Sequence, residues 1–168
     1  MVSLKLVRLI EAHSEELATG LMEKFLTSER TQDLHKVPLE ELKQRRYEIY
    51  HNLSDWLLTK TEADIERRYT ELGARRASQG VAYSQFCWAT TITKEHLWEF
   101  LQREDPMDRA IDILGSMDLL RLLDQFFDRA LYYAARGYEG AKNGRRPPRH
   151  RNALGRSLPR DLSQNSPL

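Results

Sequence analysis

Arg76 is the residue of this sequence whose chemistry fits its position least well. Ile65, Tyr69 and Leu72 precede it at spacings of three or four residues, which places all four side chains on one face of a helix. A guanidinium group on such an apolar face is paired with an acid, reaches solvent, or borders a cavity. The pattern therefore predicts that Arg76 binds a carboxylate or an anionic ligand, and a structural salt bridge at the helix end is slightly favoured.

Four other side chains could line a pocket together with Arg76. The pocket candidates are Tyr69, Arg76, Tyr83, Phe86 and Cys87. Tyr83 would contribute a hydroxyl group, whereas a thiol on an apolar helix face is usually an inert small side chain. Cys87 is the only cysteine, which excludes an intramolecular disulfide and a metal site built from several cysteines.

Catalytic motifs are absent from the sequence. It contains no glycine-rich phosphate loop, no His-Glu-x-x-His zinc motif and no serine in the strand–turn–helix context of a hydrolase nucleophile. The five histidines are scattered without the spacing of metal ligands. We therefore predict a protein that is not an enzyme and that has no cofactor and no bound metal.

Apolar residues recur with helical periodicity along most of the chain, and no segment alternates with the period of a strand. These patterns predict an all-α fold, a single bundle of five or six helices. The first helix is expected over residues 3–26, with His13 at the edge of the core and one of its ring nitrogens bonded. Residues 27–37 are polar and aperiodic, which predicts a loop.

The second helix is expected from Pro38 to about residue 58, because proline and the acids that follow it favour a helix N-terminus. His51 is expected to be solvated. The residues assigned to the solvent-facing side of this helix are Arg45, Arg46 and Glu48.

The third helix is expected to begin near Thr61, which forms a capping-box pattern with Asp64, and to end at or before Gly80. Gly73 inside it costs roughly 1 kcal/mol relative to alanine, so it indicates close approach by another helix or a ligand. A fourth helix is expected over residues 83–103.

The final helical segment is predicted to be apolar on most of its surface. Asp105-Pro106 signals a helix start, Gly115-Ser116 could break or kink the helix, and the apolar pattern runs from residue 117 to about 142. Such a wide apolar face is buried centrally or contacts a second copy of the protein, and we favour a homodimer. The dimer-interface candidates are Leu119, Leu123, Phe126, Phe127 and Leu131.

The net charge of +1 conceals an uneven distribution. Residues 141–168 carry seven basic residues against one acid, Asp161, a net charge of +6, so the other 140 residues carry −5. We predict a folded domain over residues 1–142 and a disordered basic tail, rich in proline and arginine, over residues 143–168. Arginines can bind nucleic acid through its phosphates, so nucleic acid is a candidate partner of the tail alone.

The sequence is not expected to cross or enter a membrane. No apolar run reaches the length of a membrane span, and Lys5 and Arg8 interrupt the first apolar segment, which excludes a signal peptide. A single cysteine suits a reducing compartment, so we predict a cytoplasmic protein without a membrane partner.

Three stretches of the sequence resemble a known family. They are ERRYTELGARRASQGVAYSQF, HLWEFL and LLDQFFDRALYYAARGYE. On these stretches, residues 5–142 resemble the N-terminal sensory domain of RsbR-type proteins, the RsbT co-antagonists of bacterial stress-signalling complexes. The resemblance implies a globin-like bundle without haem, which in this family is usually dimeric through its last two long helices.

The same region is similar, more remotely, to globin-coupled oxygen sensors. Those proteins carry a glycine, a histidine three residues later and a second glycine four residues beyond, ahead of an aromatic residue. Gly73, Arg76, Gly80 and Tyr83 keep that spacing here, so Arg76 takes the place of the histidine that holds the iron. Because a guanidinium group stays protonated and has no lone pair for a metal, the resemblance implies a sensor without haem.

Together, the residues and the resemblance predict a non-enzymatic regulatory domain that acts through dimerisation and a protein partner in a signalling complex. RsbR-type proteins continue into a domain that contacts the kinase partner, whereas this chain continues into its basic tail. It would therefore act alone, dock by its tail or pair with a fuller relative. Two alternatives stay open: a haem-binding gas sensor that uses His96 or His51, and a nucleic-acid-associated adaptor that uses the tail.

Overall fold

The computed structural model describes residues 4–104 and 110–144, with only the backbone of residues 110–112, and these residues form an all-α fold. The helices are α1 (Leu4–Ala12), α2 (Ser14–Thr27), a 3₁₀ helix (Glu29–Lys36), α3 (Leu39–His51), a π-helical turn (Asp55–Thr59), α4 (Glu62–Ser78), α5 (Tyr83–Glu104) and α6 (Ala110–Gly144). Within those ranges there is no strand, and α5 and α6 contain 22 and 35 residues. The prediction of an all-α fold with long C-terminal helices is confirmed.

The first expected helix is interrupted at His13, so the chain forms α1 and α2 instead of one helix. The backbone of His13 leaves helical geometry, with φ −108° and ψ 20°. Its ring Nδ1 donates a hydrogen bond to the carbonyl oxygen of Leu9 at 2.9 Å, and the ring centre lies 5.3 Å from that of Phe100 on α5. The prediction of a core-edge histidine with one bonded nitrogen is confirmed.

The loop expected over residues 27–37 is mostly the 3₁₀ helix, so this prediction is wrong. Asp33 links this helix to the start of α5 through two hydrogen bonds. Its carboxylate accepts a hydrogen bond from the backbone N–H of Ala82 at 2.9 Å, and its own N–H donates to the side chain of Gln85 at 2.6 Å. These partners lie 49 and 52 residues away along the chain, so a local sequence pattern does not reveal them.

The second expected helix ends early, because α3 stops at His51 and the separate π-helical turn begins at Asp55. Pro38 stands just before α3, and Glu40 and Glu41 occupy its first turn as predicted. His51 is exposed and stacks on Tyr47 with 5.2 Å between ring centres, so the expected solvated histidine is confirmed.

Both ends of α4 follow the sequence signals. The hydroxyl of Thr61 accepts from the N–H of Asp64 at 3.3 Å, and the carboxylate of Asp64 accepts from the N–H of Thr61 at 3.0 Å, which is the predicted capping box. After the last turn, Gly80 has a φ of +80°, a left-handed conformation that glycine adopts without steric cost. The next helix starts at Tyr83, where it is predicted.

The packing of α4 against α6 is more extensive than that of any other pair of described helices, and two glycines allow it. A Cβ atom on Gly73 would lie 2.1 Å from the carbonyl oxygen of Ala134, and one on Gly137 would lie 2.1 Å from that of Thr70. The two backbones therefore touch at both points. The prediction that Gly73 marks close approach by another helix is confirmed, and Gly137 is its counterpart on α6.

The predicted break at Gly115-Ser116 is wrong, because α6 is continuous through both residues. Both are buried, and the packing of the surrounding turns offsets the roughly 1 kcal/mol that a glycine costs inside a helix. The helix-start signal at Asp105-Pro106 and residues 145–168 of the predicted tail lie outside the described residues. The domain boundary at residue 142 stays a prediction, although α6 itself runs to Gly144.

Candidate functional site

Arg76, the charged residue on the apolar face of α4, is only 3% exposed and is paired inside the protein. Its Nη1 atom donates to Oε1 of Glu41 at 2.5 Å and to Oε1 of Gln79 at 2.6 Å. Glu41 lies in the first turn of α3, 35 residues earlier in the chain. Arg76 thus makes a salt bridge near the end of its helix, the arrangement that its sequence position slightly favours.

Glu41 is shared among three arginines. Arg75 binds it through two hydrogen bonds, at 2.8 and 2.6 Å, and Nε of Arg45 approaches it to 3.6 Å. Hydrogen bonds from Arg75 and then from Arg76 hold the pKa of Glu41 well below its ordinary value, although partial burial opposes them. The carboxylate is therefore ionised at neutral pH, and its one negative charge faces three positive charges.

The side of α3 that carries Arg45, Arg46 and Glu48 is half-buried, so the prediction that it faces solvent is wrong. It faces arginines of α4 instead, and Arg68 donates to Glu48 at 3.1 Å. Arginine can lie in such a place because its long aliphatic stem covers apolar surface while its guanidinium group stays polar. Helical spacing already places Arg46 on the buried side of α3, four residues after Leu42 and three before Ile49.

Arg46 has no carboxylate partner among the described residues. Its guanidinium carbon lies 5.3 Å from the centre of the Phe25 ring, a cation–π contact. Burial lowers the pKa of Arg46, because the charged group loses hydration without a counter-ion in return. Five arginines of α3 and α4 lie together here, and Glu41 and Glu48 balance their charge only in part. We call them the arginine cluster: Arg45, Arg46, Arg68, Arg75 and Arg76.

Two buried tyrosines adjoin the arginine cluster. Burial raises the pKa of Tyr69 to about 12 and also raises the pKa of Tyr50, so both hydroxyl groups keep their protons. Tyr50 is 0% exposed, and nothing in the described part of the chain bonds to its hydroxyl group. Nε of Arg45 is a second buried donor that lacks an acceptor within the described residues. Unpaired buried polar side-chain atoms are uncommon, and two of the four in the described residues, Nε of Arg45 and the hydroxyl of Tyr50, belong to the cluster or adjoin it.

A cavity of about 20 Å³ lies inside the arginine cluster. Three of the five predicted pocket residues, Tyr69, Arg76 and Phe86, line it. Its complete lining is Leu42, Arg45, Arg46, Ile49, Arg68, Tyr69, Leu72, Arg76 and Phe86. The structure thus brings side chains of α3, α4 and α5 together around a small and strongly positive space.

The other two predicted pocket residues, Tyr83 and Cys87, do not line this cavity. Tyr83 donates its hydroxyl to the carbonyl oxygen of Leu131 at 2.9 Å, and its ring centre lies 5.2 Å from that of Tyr138. Burial, together with a hydrogen bond to Cys87, raises the pKa of Tyr83 to about 12. Tyr83 therefore links α5 to α6 through a hydrogen bond and a ring contact.

Neither alternative haem ligand, His96 nor His51, lies at the cavity beside Arg76. His96 faces α2, where a ring nitrogen lies 3.2 Å from the carbonyl oxygen of Leu17, and burial lowers the pKa of His96. It borders a separate cleft of about 300 Å³ between α2 and α5. Within residues 4–104 and 110–144, no three His, Cys, Asp or Glu side chains are grouped to hold a metal ion.

Most of the predicted dimer-interface residues lie in the core of one chain. Leu119, Leu123, Phe126 and Phe127 are at most 5% exposed, and Leu131 is half-buried. The physical reason is that α1, α4, α5 and the π-helical turn all pack against α6. Burial within the chain therefore accounts for much of the wide apolar face of this helix.

The exposed apolar surface of α6 lies nearer its N-terminus. Ile113, Leu114 and Met117 are 45%, 63% and 61% exposed, and spacing places Ile113, Met117 and Leu120 on one helix face. Leu120 borders a groove of about 240 Å³ between α5 and α6, which we name the α5–α6 groove. Its lining is mainly apolar: Lys94, Glu95, Leu97, Trp98, Leu101, Leu120, Leu123, Asp124 and Phe127.

Sequence patterns do not reveal Glu41 or Tyr50 as parts of the site. Glu41 has a sufficient local explanation as an acid in the first turn of a helix. The spacings of four residues between Glu41 and Arg45 and of three between Arg45 and Glu48 indicate that this side of α3 carries both acids and bases. Tyr50 falls outside the apolar stripe assigned to its helix, although it is fully buried.

No helix in the described part of the chain has the apolar length that a bilayer crossing requires. A family model described as the RsbT co-antagonist protein rsbRD N-terminal domain matches residues 15–151. The match includes both the arginine cluster and the α5–α6 groove. Comparisons with curated proteins and with solved structures give no significant match.

Proposed function

Because the chain belongs to the family of RsbT co-antagonist protein rsbRD N-terminal domains, we propose that it is a cytoplasmic regulatory domain of the bacterial stress-signalling type. In this proposal it forms a homodimer and contacts a protein partner of a signalling complex. It catalyses no reaction and holds no haem within a globin-like bundle. The family description names a co-antagonist, which is a regulatory role rather than a catalytic one.

The observation that carries the dimer proposal is the exposed apolar surface of α6. Leu114 and Met117 expose more than half of their surface, and Trp98, Leu101 and Leu120 line the α5–α6 groove beside them. Exposed apolar surface of this kind usually marks a protein–protein contact. A second copy of the chain would cover the surface with an identical apolar surface, as two-fold symmetry requires.

The chemistry of the arginine cluster supports a non-enzymatic role. A general acid or base works best when its pKa lies near the working pH. Arg75 and Arg76 instead hold the pKa of Glu41 far below neutrality. Glu41 therefore stays ionised and structural, and it is a poor candidate for proton transfer.

Three features support a domain without haem. Arg76 stands at the position of the iron-binding histidine in the sensor pattern, and it is engaged by Glu41 and Gln79. The cavity beside it measures about 20 Å³, whereas pockets for cofactors usually measure several hundred Å³. On the other side of α4, the backbone contacts of Gly73 and Gly137 leave no gap for a flat ring.

Sedimentation analysis of the full chain tests the dimer proposal. We expect a dimer for the wild type and at least a tenfold weaker association for Met117→Glu, because the new carboxylate would be desolvated in the interface. Leu39→Glu is the matched control, since Leu39 is 49% exposed on α3 and should leave the dimer intact. A monomeric wild type, or a Met117→Glu variant that associates like the wild type, would refute the proposed contact.

A further inference from the structure

The arginine cluster holds more positive charge than its carboxylates neutralise. Arginines already engage both Glu41 and Glu48. Arg45 reaches Glu41 only at 3.6 Å, and Arg46 pairs with no carboxylate in the described ranges. Because charges in a half-buried region are costly without a counter-ion, this surplus calls for a negative partner that the described residues do not supply.

Unpaired hydrogen-bond donors also occur at and beside the arginine cluster. Nε of Arg45 and the hydroxyl of Tyr50 are buried, and neither has an acceptor among the residues described. Arg45 lines the cavity, whereas Tyr50 does not. A species in the cavity that accepts a hydrogen bond and carries negative charge would pair with Nε of Arg45 and offset the surplus positive charge.

The size of the cavity limits what that species can be. Its volume is about 20 Å³, and one water molecule needs about 10–15 Å³ measured in this way. A phosphate group or an organic carboxylate is too large. The side chains of Arg45 and Arg68, 29% and 28% exposed, border the cavity and leave a short path from solvent.

We propose that the cavity between α3 and α4 is a binding site for one small monovalent anion of about the size of chloride, held by the guanidinium groups of Arg45, Arg46 and Arg68. A water molecule would fill the same volume but would leave the charge unbalanced. An anion offsets the charge and accepts hydrogen bonds from several donors. This inference adds a ligand class for the cavity to the proposed function. Any regulatory meaning of the anion rests on that proposed function.

Anion binding predicts a salt effect that depends on the identity of the salt. The full chain would be unfolded by heat in potassium chloride and in potassium gluconate at equal ionic strength, since gluconate is too large for the cavity. We expect a higher Tm in chloride, with an increase of roughly 3–6 °C for each tenfold rise in chloride above half-saturation. Equal Tm values in the two salts would overturn the proposal.

A matched pair of arginine variants locates the effect. Arg46→Met should abolish the difference between chloride and gluconate, because it removes the guanidinium group that has no carboxylate partner. Arg67→Met is the control: Arg67 is on α4 but is 71% exposed and pairs with Asp64, so this variant should keep the difference. A chloride effect that survives in Arg46→Met would place the anion elsewhere and overturn the assignment.

Bromide provides a direct test on the wild-type chain that does not depend on how the variants fold. Crystals grown in bromide should show one anomalous scattering peak among the three guanidinium groups. A water molecule without anomalous signal at that place would overturn the proposal. Failure of the dimer contact would instead appear in sedimentation and leave the chloride effect unchanged, so the two proposals fail separately.

Discussion

The two sides of α4 are held by opposite means. Toward α6, the backbones touch at Gly73 and Gly137, and no side chain separates them. Toward α3, the backbones stay apart, and long charged side chains such as Arg76 and Glu41 bridge the space. The contact between α4 and α6 requires that Gly73 and Gly137 carry no side chain. The contact between α4 and α3 depends on the pairing of charged side chains.

This difference determines what each contact can respond to. Backbone packing tolerates almost no added volume, and salt or pH has little effect on it. A bridge of guanidinium and carboxylate groups is sensitive to both, because its stability depends on protonation and on counter-ions. The α3–α4 side is therefore the side of the domain that solution conditions can alter.

The largest effect is expected from Gly73→Ala. Its Cβ atom would lie 2.1 Å from the carbonyl oxygen of Ala134, so α4 and α6 must separate. We expect the free energy of unfolding to fall by at least about 3 kcal/mol, the upper end of the usual range for overpacking, in a denaturant titration.

Gly140→Ala is the matched control for this prediction, because nothing lies within 4 Å of a Cβ atom at that position on α6. Alanine should raise stability there by up to about 1 kcal/mol, since it is the better helix former. If both variants lost similar amounts of stability, the contrast between a tight and an open glycine site would be refuted.

Glu41→Gln should have the next largest effect, because it leaves the buried charge of Arg76 without a carboxylate. We expect the free energy of unfolding to fall by about 2–3 kcal/mol at neutral pH. This is somewhat less than for a fully buried ion pair, because Glu41 keeps some contact with solvent. Denaturant titration would measure it. A loss below about 0.5 kcal/mol would show that the bridge behaves like a surface ion pair.

A smaller effect concerns the pH dependence of stability. The folded-state pKa of Glu41 is depressed, so its contribution is complete above the ordinary pKa of about 4.3 and is lost as pH falls toward the folded-state value. Between about pH 5 and pH 3 the wild type should lose up to about 1.4 kcal/mol per pH unit from this group, which Glu41→Gln should not. Parallel stability curves for the two proteins would contradict this assignment.

The same contrast separates what the sequence predicts from what it conceals. Gly73 and the caps at Thr61 and Gly80 are recognisable because the rules that place them act within a few residues. The role of Glu41 is concealed, because its arginine partners lie 34 and 35 residues away and a local role already explains it. Gly137 is concealed for a related reason, since it lies inside an apolar run.

Arg46 shows a further limit of sequence patterns. Helical spacing places it on the apolar stripe of α3, four residues after Leu42 and three before Ile49, but a charged residue there is paired, reaches solvent or borders a cavity. Only the structure shows that arginines of α4 lie opposite and that the space between the helices is partly enclosed. Spacing predicts which side of a helix a residue occupies, but not what another element brings to that side.

The glycine contacts also restrict how the domain can move. A shift of α6 along α4 by one residue, about 1.5 Å, would bring side chains against backbone at both Gly73 and Gly137. The helices α4 and α6 must therefore move together as one rigid unit. Any rearrangement produced by a partner has to take place where side chains separate the helices, as they do between α3 and α4.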